Sequence, residues 1–227
     1  MRLWLSFPAC LLAALLCSGC GSSNNNTQLR AVQASANETT TNVIVGGTTV
    51  FSDLALGAPT NYATVTSGTE TLEVTPSNTT TAAIDESVTL NTGTNYTLIT
   101  ANYAASLTPM LLTDSTTAPT SGDFQIRIAN AAVEAGSIDI YILPAGSGNP
   151  SGGGITPTIS ALGFTSSSSY QSLAAGSYTI IITPAGFPVV SYVNTGSVTF
   201  AAGQNRTFVV LPTASGAITS VTLSDLN

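Results

Sequence analysis

After an apolar N-terminal run, hydrophobic positions alternate with Thr, Ser and Asn in short bursts separated by Gly, Pro and Asn, and none of these bursts holds a helical repeat. A period of two marks half-buried strands, whose side chains point to opposite faces in turn. The stretch YATVTSGTETLEVTP, Tyr62 to Pro76, predicts a short strand, a turn at Gly68 and a second strand stopped by Pro76, which is the pattern of a β-hairpin. In it Leu72 and Val74 share a face with Glu70, while Thr71, Glu73 and Thr75 share the other. YQSLAAGSYTIIITP, Tyr170 to Pro184, repeats Tyr, Gly and Pro at the same internal spacing 108 residues later, with Tyr178, Ile180 and Ile182 on its apolar face. Ile181 stands where the first copy has Glu73, so the second copy is expected to be the more buried.

The repeat extends in both directions. LRAVQAS (from Leu29) matches IRIANAA (from Ile126) at an offset of 97, and NVIV (from Asn42) matches DIYI (from Asp139) at the same offset. An added segment, PAGSGNPSGGGITP from Pro144 to Pro157, raises the offset to 108, and its Gly, Pro and Ser mark a mobile surface loop. SVTLNTGTNYTLIT (from Ser87) and SVTFAAGQNRTFVV (from Ser197) then match at 110, and MLLTD (from Met110) and VTLSD (from Val221) at 111. Six or seven short strands per unit, with turns about every eight to twelve residues, predict an all-β protein of two tandem immunoglobulin-like antiparallel β-sandwich modules. The expected boundaries are a signal peptide over 1–19, a lipidated tether over 20–28, a first repeat over 29–114, a linker over 115–123 and a second repeat over 124–227. The alternative is one continuous sandwich with strands exchanged between the halves.

The N-terminus reads as an address. Met1 and Arg2 precede an apolar run, Leu3 to Leu16, too short to span a bilayer as a stable helix. It ends in LLCSGC, which resembles a bacterial lipoprotein lipobox, with Cys17 where Leu is usual. The resemblance implies a diacylated Cys20 at the mature N-terminus, and two acyl chains suffice for stable anchoring. The plain alternative is an ordinary signal peptide. The eight residues GSSNNNTQ that follow reach roughly 16 Å as a flexible tether, and Gly21 in place of Asp resembles the outer-membrane sorting rule. The expected location is therefore the cell envelope, lipid-anchored, at the outer membrane where there are two membranes.

Composition narrows the function classes. The chain has 227 residues, 43% of them hydrophobic and only 7% charged, and its net charge of -7 comes without a basic run. Nucleic acid and anionic headgroups are thereby disfavoured as partners. The three cysteines, Cys10, Cys17 and Cys20, precede the folded part, so its stability rests on packing without a disulfide. Without His, Lys or a mature catalytic Cys the chain lacks Ser-His and Ser-Lys nucleophile systems, cysteine dyads and His or Cys ligands for zinc.

The matched segments resemble the bacterial domain of unknown function 4397. The likeness rests on the LRAVQAS start, the DIYI second strand, the YQSLAAGSYTIII segment, and PMLLTD (Pro109 to Asp114) followed by Pro119 and Gly122; it covers residues 29 to 225 in two copies. Asn42, where the family usually has Asp, and the long second-copy loop are departures. The resemblance implies an exported β-sandwich module, often lipoprotein-anchored, with no assigned activity.

Three sets of residues invite chemistry. Arg30 and Arg127 occupy equivalent places, and Arg127 is expected to form a structural ion pair with Asp139 on a neighbouring strand, in preference to binding a ligand. Tyr62 and Tyr170 are expected to pack on the sandwich with their hydroxyls bonded to backbone, in preference to forming a sugar platform. Glu70 and Glu73, and likewise Asp85 and Glu86, face opposite sides of a strand, so a two-carboxylate site would need partners from separate segments. The reading is a non-enzymatic envelope lipoprotein, structural or interactive, touching envelope proteins or glycans, with no cofactor, metal or catalytic residue. The alternatives are a carboxylate-dependent envelope hydrolase and a small-ligand or calcium-binding module. Specific activity is expected in the unshared loop Pro144 to Pro157.

Overall fold

The computed structural model describes residues 26–226. The signal segment, Cys20 and the start of the tether lie outside the described residues. The first half contains β1 (Thr27–Gln33), β2 (Thr40–Val45), β3 (Thr48–Ala55), β4 (Ala63–Val65), β5 (Gly68–Pro76), β6 (Ile84–Leu90), β7 (Asn95–Ala101) and β8 (Thr108–Asp114). They form two sheets, ordered β4-β1-β7-β8 and β3-β2-β5-β6. The second half contains β9 (Asp123–Asn130), β10 (Ile138–Pro144), β11 (Ile159–Leu162), β12 (Ser166–Ser167), β13 (Gln171–Ala174), β14 (Gly176–Pro184), β15 (Val193–Phe200), β16 (Asn205–Pro212) and β17 (Ile218–Leu226). Here β9-β16-β17 form one sheet, with β12 and β13 both on the free side of β9, and β11-β10-β14-β15 form the other.

The protein is all-β, as its alternation predicts, with more strands per half than the six or seven expected. Each half is a β-sandwich whose strands pair within that half. Most pairs are antiparallel, but β1 runs parallel to β7 and β9 runs parallel to β16. The first sandwich closes over Leu29, Val43, Leu72, Val74, Tyr96 and Leu98, and the second over Phe124, Ile126, Ile140, Ile180, Phe208 and Val210. Each such fully buried side chain contributes about 1.5–3 kcal/mol against its exposed state. Ile181 is 1% exposed, whereas Glu73 remains half-buried, in line with the greater burial expected of the second copy.

The expected hairpins are corrected. β4 pairs with β1 and β5 pairs with β2 and β6, so the chain at Thr66 and Ser67 crosses from one sheet to the other. The second copy does the same, since β13 pairs with β9 and β14 with β10 and β15. A Gly turn between two short strands serves an arch as well as a hairpin, and burial of both flanking faces selects the arch. The added loop after Pro144 carries a 3-10 turn, Pro150–Gly152, and buries Pro150.

A third apolar cluster joins the halves: Val32, Ala34, Ile99, Ala101 and Met110 from the first, and Ala129, Ala131, Val209, Leu211 and Leu223 from the second. The sheets that contain β1 and β9 therefore lie face to face, and β1, β7, β9 and β16 are buried on both sides. That is why FVVLP is an unbroken apolar run and why LRAVQA and YTLITA carry apolar residues at both odd and even positions. The sandwiches stand side by side with their strand ends aligned. At one end of the seam Asn205 holds the linker between β8 and β9, its Nδ2 donating to the carbonyls of Ser115 and Thr117 at 2.8 Å each, and at the opposite end Gly57 faces Leu211.

Candidate functional site

On the faces that meet, alternation aligns Arg30 and Val32 on β1, and Ala34 just past it, with Thr97, Ile99 and Ala101 on β7, and Arg127 and Ala129 on β9, and Ala131 just past it, with Thr207, Val209 and Leu211 on β16. The polar members gather at one end of the seam. Arg30 donates through Nε to Thr97 Oγ1 at 2.8 Å, through one Nη to the Ser224 carbonyl at 2.7 Å, and through the other to the Asp225 carboxylate. Arg127 repeats this pattern with Thr207 Oγ1 at 2.8 Å, the Thr113 carbonyl at 2.7 Å and the Asp114 carboxylate. Each arginine thus holds the aspartate of the other sandwich, and a second contact of 3.7 Å links Arg30 to Asp114.

Within each sandwich the same carboxylates accept further bonds. Thr97 and Tyr62 donate to Asp114, and Thr207 and Tyr170 donate to Asp225. The guanidinium carbons lie 4.6 Å from the Tyr62 ring centre and 5.0 Å from that of Tyr170, within cation–π range. Both carboxylates are fully buried, and the arginine side chains are at most 5% exposed. Burial pushes the Asp114 carboxyl up from its ordinary range, against the pull of Arg127 and Arg30. Burial also pushes both tyrosine hydroxyls well above their ordinary value, helped at Tyr62 by Asp114 and opposed at Tyr170 by Arg127.

The expected Arg127–Asp139 pair does not form. Asp139 accepts at 2.8 Å from the backbone N–H of Ala161 and, through its other oxygen, at 2.8 Å from that of Gly186. Asp139 lies on β10 in the outer sheet of its sandwich, and its partners flank β10 in that sheet, whereas Arg127 lies on β9 at the seam. The equivalent Asn42 Oδ1 accepts from the N–H of Asp53 at 2.9 Å and from the Ser77 hydroxyl at 3.3 Å. Asp53 (φ 53°) and Ala161 (φ 51°) both adopt left-handed backbone, which these bonds hold in place. Asp139, and Asn42 in the equivalent place, are therefore backbone clamps. Tyr62 and Tyr170 are also corrected in part: both pack at the seam and donate their hydroxyls to carboxylates, and the expected backbone bond is made at Tyr170, whose hydroxyl accepts from the Ser115 N–H at 3.2 Å.

The four acids of β5 and β6 occupy the faces expected. Glu73 stands directly opposite Asp85 on the outer face, and Glu86 opposite Leu72 on the inner one. Gly46, at φ +55°, makes room for Glu70, since a Cβ there would lie 2.4 Å from its carboxylate oxygen. Among the described residues no group of three or more His, Cys, Asp or Glu could hold a metal ion. A cavity of about 210 Å³ opens beside Arg30 and Tyr62, bordered by Thr60, Asn61 and Ser224, and no carboxylate lines it.

Arg, Tyr, Thr and Asp recur at offsets of 97, 108, 110 and 111, the same steps that align the two halves. That signal was available in the sequence. What it lacked was the exchange of partners across the seam. Fold and seam define a tandem β-sandwich protein whose halves are locked face to face by a duplicated set of buried polar side chains. The chain belongs to the family described as Domain of unknown function (DUF4397), whose sequence model matches residues 27–141, from β1 into β10. The matched span contains the Asp114–Arg127 pair. No curated protein matches the chain.

Proposed function

We propose that this chain is a non-enzymatic cell-envelope lipoprotein, anchored through acylated Cys20, whose two sandwiches act as one rigid structural or interaction module toward envelope proteins or glycans. One observation carries the reading. The polar side chains that both halves share at the seam, Arg30 and Arg127, Thr97 and Thr207, Tyr62 and Tyr170, Asp114 and Asp225, are all engaged with one another. What the duplication repeats is thus the joint that makes two sandwiches one body. A buried, mutually satisfied charge set favours fixed geometry over turnover. The lipobox-like LLCSGC supports the anchor.

Two measurements test this. Intact mass of the native protein should show diacylglycerol on Cys20, lost in Cys20→Ser, and an unmodified N-terminus would remove the anchor. A broad hydrolase screen should give no turnover; activity that disappears on replacing Glu73 or Asp85 would establish the enzyme reading in its place.

A further inference from the structure

A sheet ends in edge strands, whose outward N–H and carbonyl groups are open to pairing with another strand unless something blunts them. Here β4, β11, β12 and β13 are four residues or fewer, β6 carries Asp85 and Glu86, β3 holds Asp53 in left-handed backbone, and β15 breaks its register opposite Thr179 and Ile181. β17 has none of these devices. It runs for nine residues, Ile218–Leu226, without Pro, Gly or left-handed backbone, and its pairing is regular along Arg206 to Pro212. Its one charge, Asp225, is turned into the seam.

The pairing fixes which peptide groups of β17 face outward. The Gln125 and Ala131 N–H groups donate to the Gln204 and Val210 carbonyls at 2.8 Å, so the even-numbered residues of β16 bond β9. The odd-numbered ones, Thr207, Val209 and Leu211, therefore bond β17 through Leu223, Val221 and Thr219. Between them Ser220, Thr222 and Ser224 turn their N–H and carbonyl groups away from the sheet. The Ser224 carbonyl takes Arg30, while the peptide groups of Ser220 and Thr222 have no partner among the described residues. The equivalent edge of the first sandwich is closed. At the offset of 111, Pro109 on β8 stands where Ser220 does, and Pro has no N–H to offer.

A cavity adjoins the open edge. The opening of about 210 Å³ beside Arg30 and Tyr62 lies between Thr222–Ser224 of β17 and Pro59–Tyr62 of the first sandwich. Leu223 faces the seam, so a strand added to β17 would point the side chain opposite Leu223 toward that opening. Arg30 is committed to Thr97, Ser224 and Asp225, which leaves the neutral groups of Thr60, Asn61 and Ser224 to meet it. They suit a side chain that both donates and accepts, and an amide also has the length.

We propose that β17 receives an extended, uncharged peptide segment of a partner protein, which adds a strand at Ser220 and Thr222 and seats an Asn or Gln side chain in the cavity bordered by Arg30 and Tyr62. The class of occupant follows from the edge, since an extended backbone repeats a donor and an acceptor at every second residue. Main-chain bonds supply affinity in such strand addition, and the pocket supplies selectivity. A second copy is a poorer occupant. Two-fold pairing of Ser220 with the copy's Thr222, which uses both free groups, would set Thr219 opposite Leu223, too short to fill the opening. This surface belongs to the interaction module proposed for the chain and rests on that reading.

In the native protein purified in detergent, the Ser220 and Thr222 amides should exchange quickly while those of Val221 and Leu223 are protected. The peptide acetyl-TSTNTVT-amide should protect the first two. N-methylating one alternate set of its residues should raise the dissociation constant about tenfold or more, the effect of two lost backbone hydrogen bonds, and methylating the other set should leave it unchanged. Ser220→Pro, which copies Pro109, should abolish binding with the melting temperature unchanged. Thr222→Lys, at an exposed position, should do the same and keeps the test open if the proline variant folds poorly. Protection of Ser220 and Thr222 in the free protein, no protection at millimolar peptide, or equal losses from both methylated sets overturns the proposal. Protection that grows with protein concentration in the absence of peptide would assign the edge to a second copy and refute the partner strand. None of these outcomes alters the intact mass or the hydrolase screen, by which the module reading stands or falls.

Discussion

Arg127, on the first strand of the second sandwich, forms its ion pair with Asp114, the last residue of the first, and the pair is buried with the Thr113 carbonyl and Thr207 hydroxyl completing the guanidinium's contacts. Arg30 and Asp225 form the reciprocal pair. The two bonds cross the seam in opposite senses, so neither sandwich contains a complete set of its own.

This exchange makes the halves energetically dependent. Asp114→Ala should cost about 3–5 kcal/mol, because it leaves the Arg127 charge buried without its partner. Denaturant unfolding of Asp114→Ala, Arg127→Ala and the double variant should give a coupling energy well above the scatter expected for independent sites. The Asp139 and Arg127 substitutions should simply add, since the two side chains serve different sheets. Strong coupling of Arg127 to Asp139 would contradict the assignment.

An isolated first sandwich, residues 26–114, would expose Val32, Ile99 and Met110 and leave Arg30 and Asp114 without their cross-seam partners. It should fail to show dispersed amide resonances as a monomer. Adding the second sandwich as a separate chain should restore them. Independent folding of either half as a monomer would show that the seam is dispensable.

Tyrosine burial predicts alkaline sensitivity. Tyr62 and Tyr170 have hydroxyls held above the ordinary value of 10.0 by burial. A group whose folded pKa is raised lends stability in full below its unfolded pKa, and that stability is lost as pH rises above it. Stability should therefore fall from about pH 10 upward. Phenolate absorbance of these two residues should appear with unfolding and not before it. In the double Phe variant the slope of stability against pH above that point should flatten, and an unchanged slope would count against their burial as the cause.

Asp139 should act through backbone. Asp139→Ala removes the acceptor for the Ala161 and Gly186 N–H groups and should cost about 2 kcal/mol. Amide exchange should speed up at those two residues. Asp139→Asn should retain much of the stability, since Asn42 accepts two bonds through one oxygen in the equivalent place.

The sequence by itself determined the class of the fold. Period-two alternation, turns at Gly and Pro, and four matched offsets are local properties, and they specify strands and their duplication without reference to distant contacts. It also placed the four acids of β5 and β6 on their correct faces, because side-chain direction along a strand follows from residue number alone. Tertiary structure decided the rest. Whether Gly68 turns the chain back along its own sheet or across to the other depends on which faces are covered, and a turn signal is the same for both. Spacing along the chain puts Arg127 in the right duplicated set but pairs it with the wrong acid, because it reports neighbours within a sheet. Partners across two packed sheets, about 10 Å apart, are set by which faces meet. Arg30 and Asp225, 195 residues apart in the chain, become partners only when the two apolar faces close on each other.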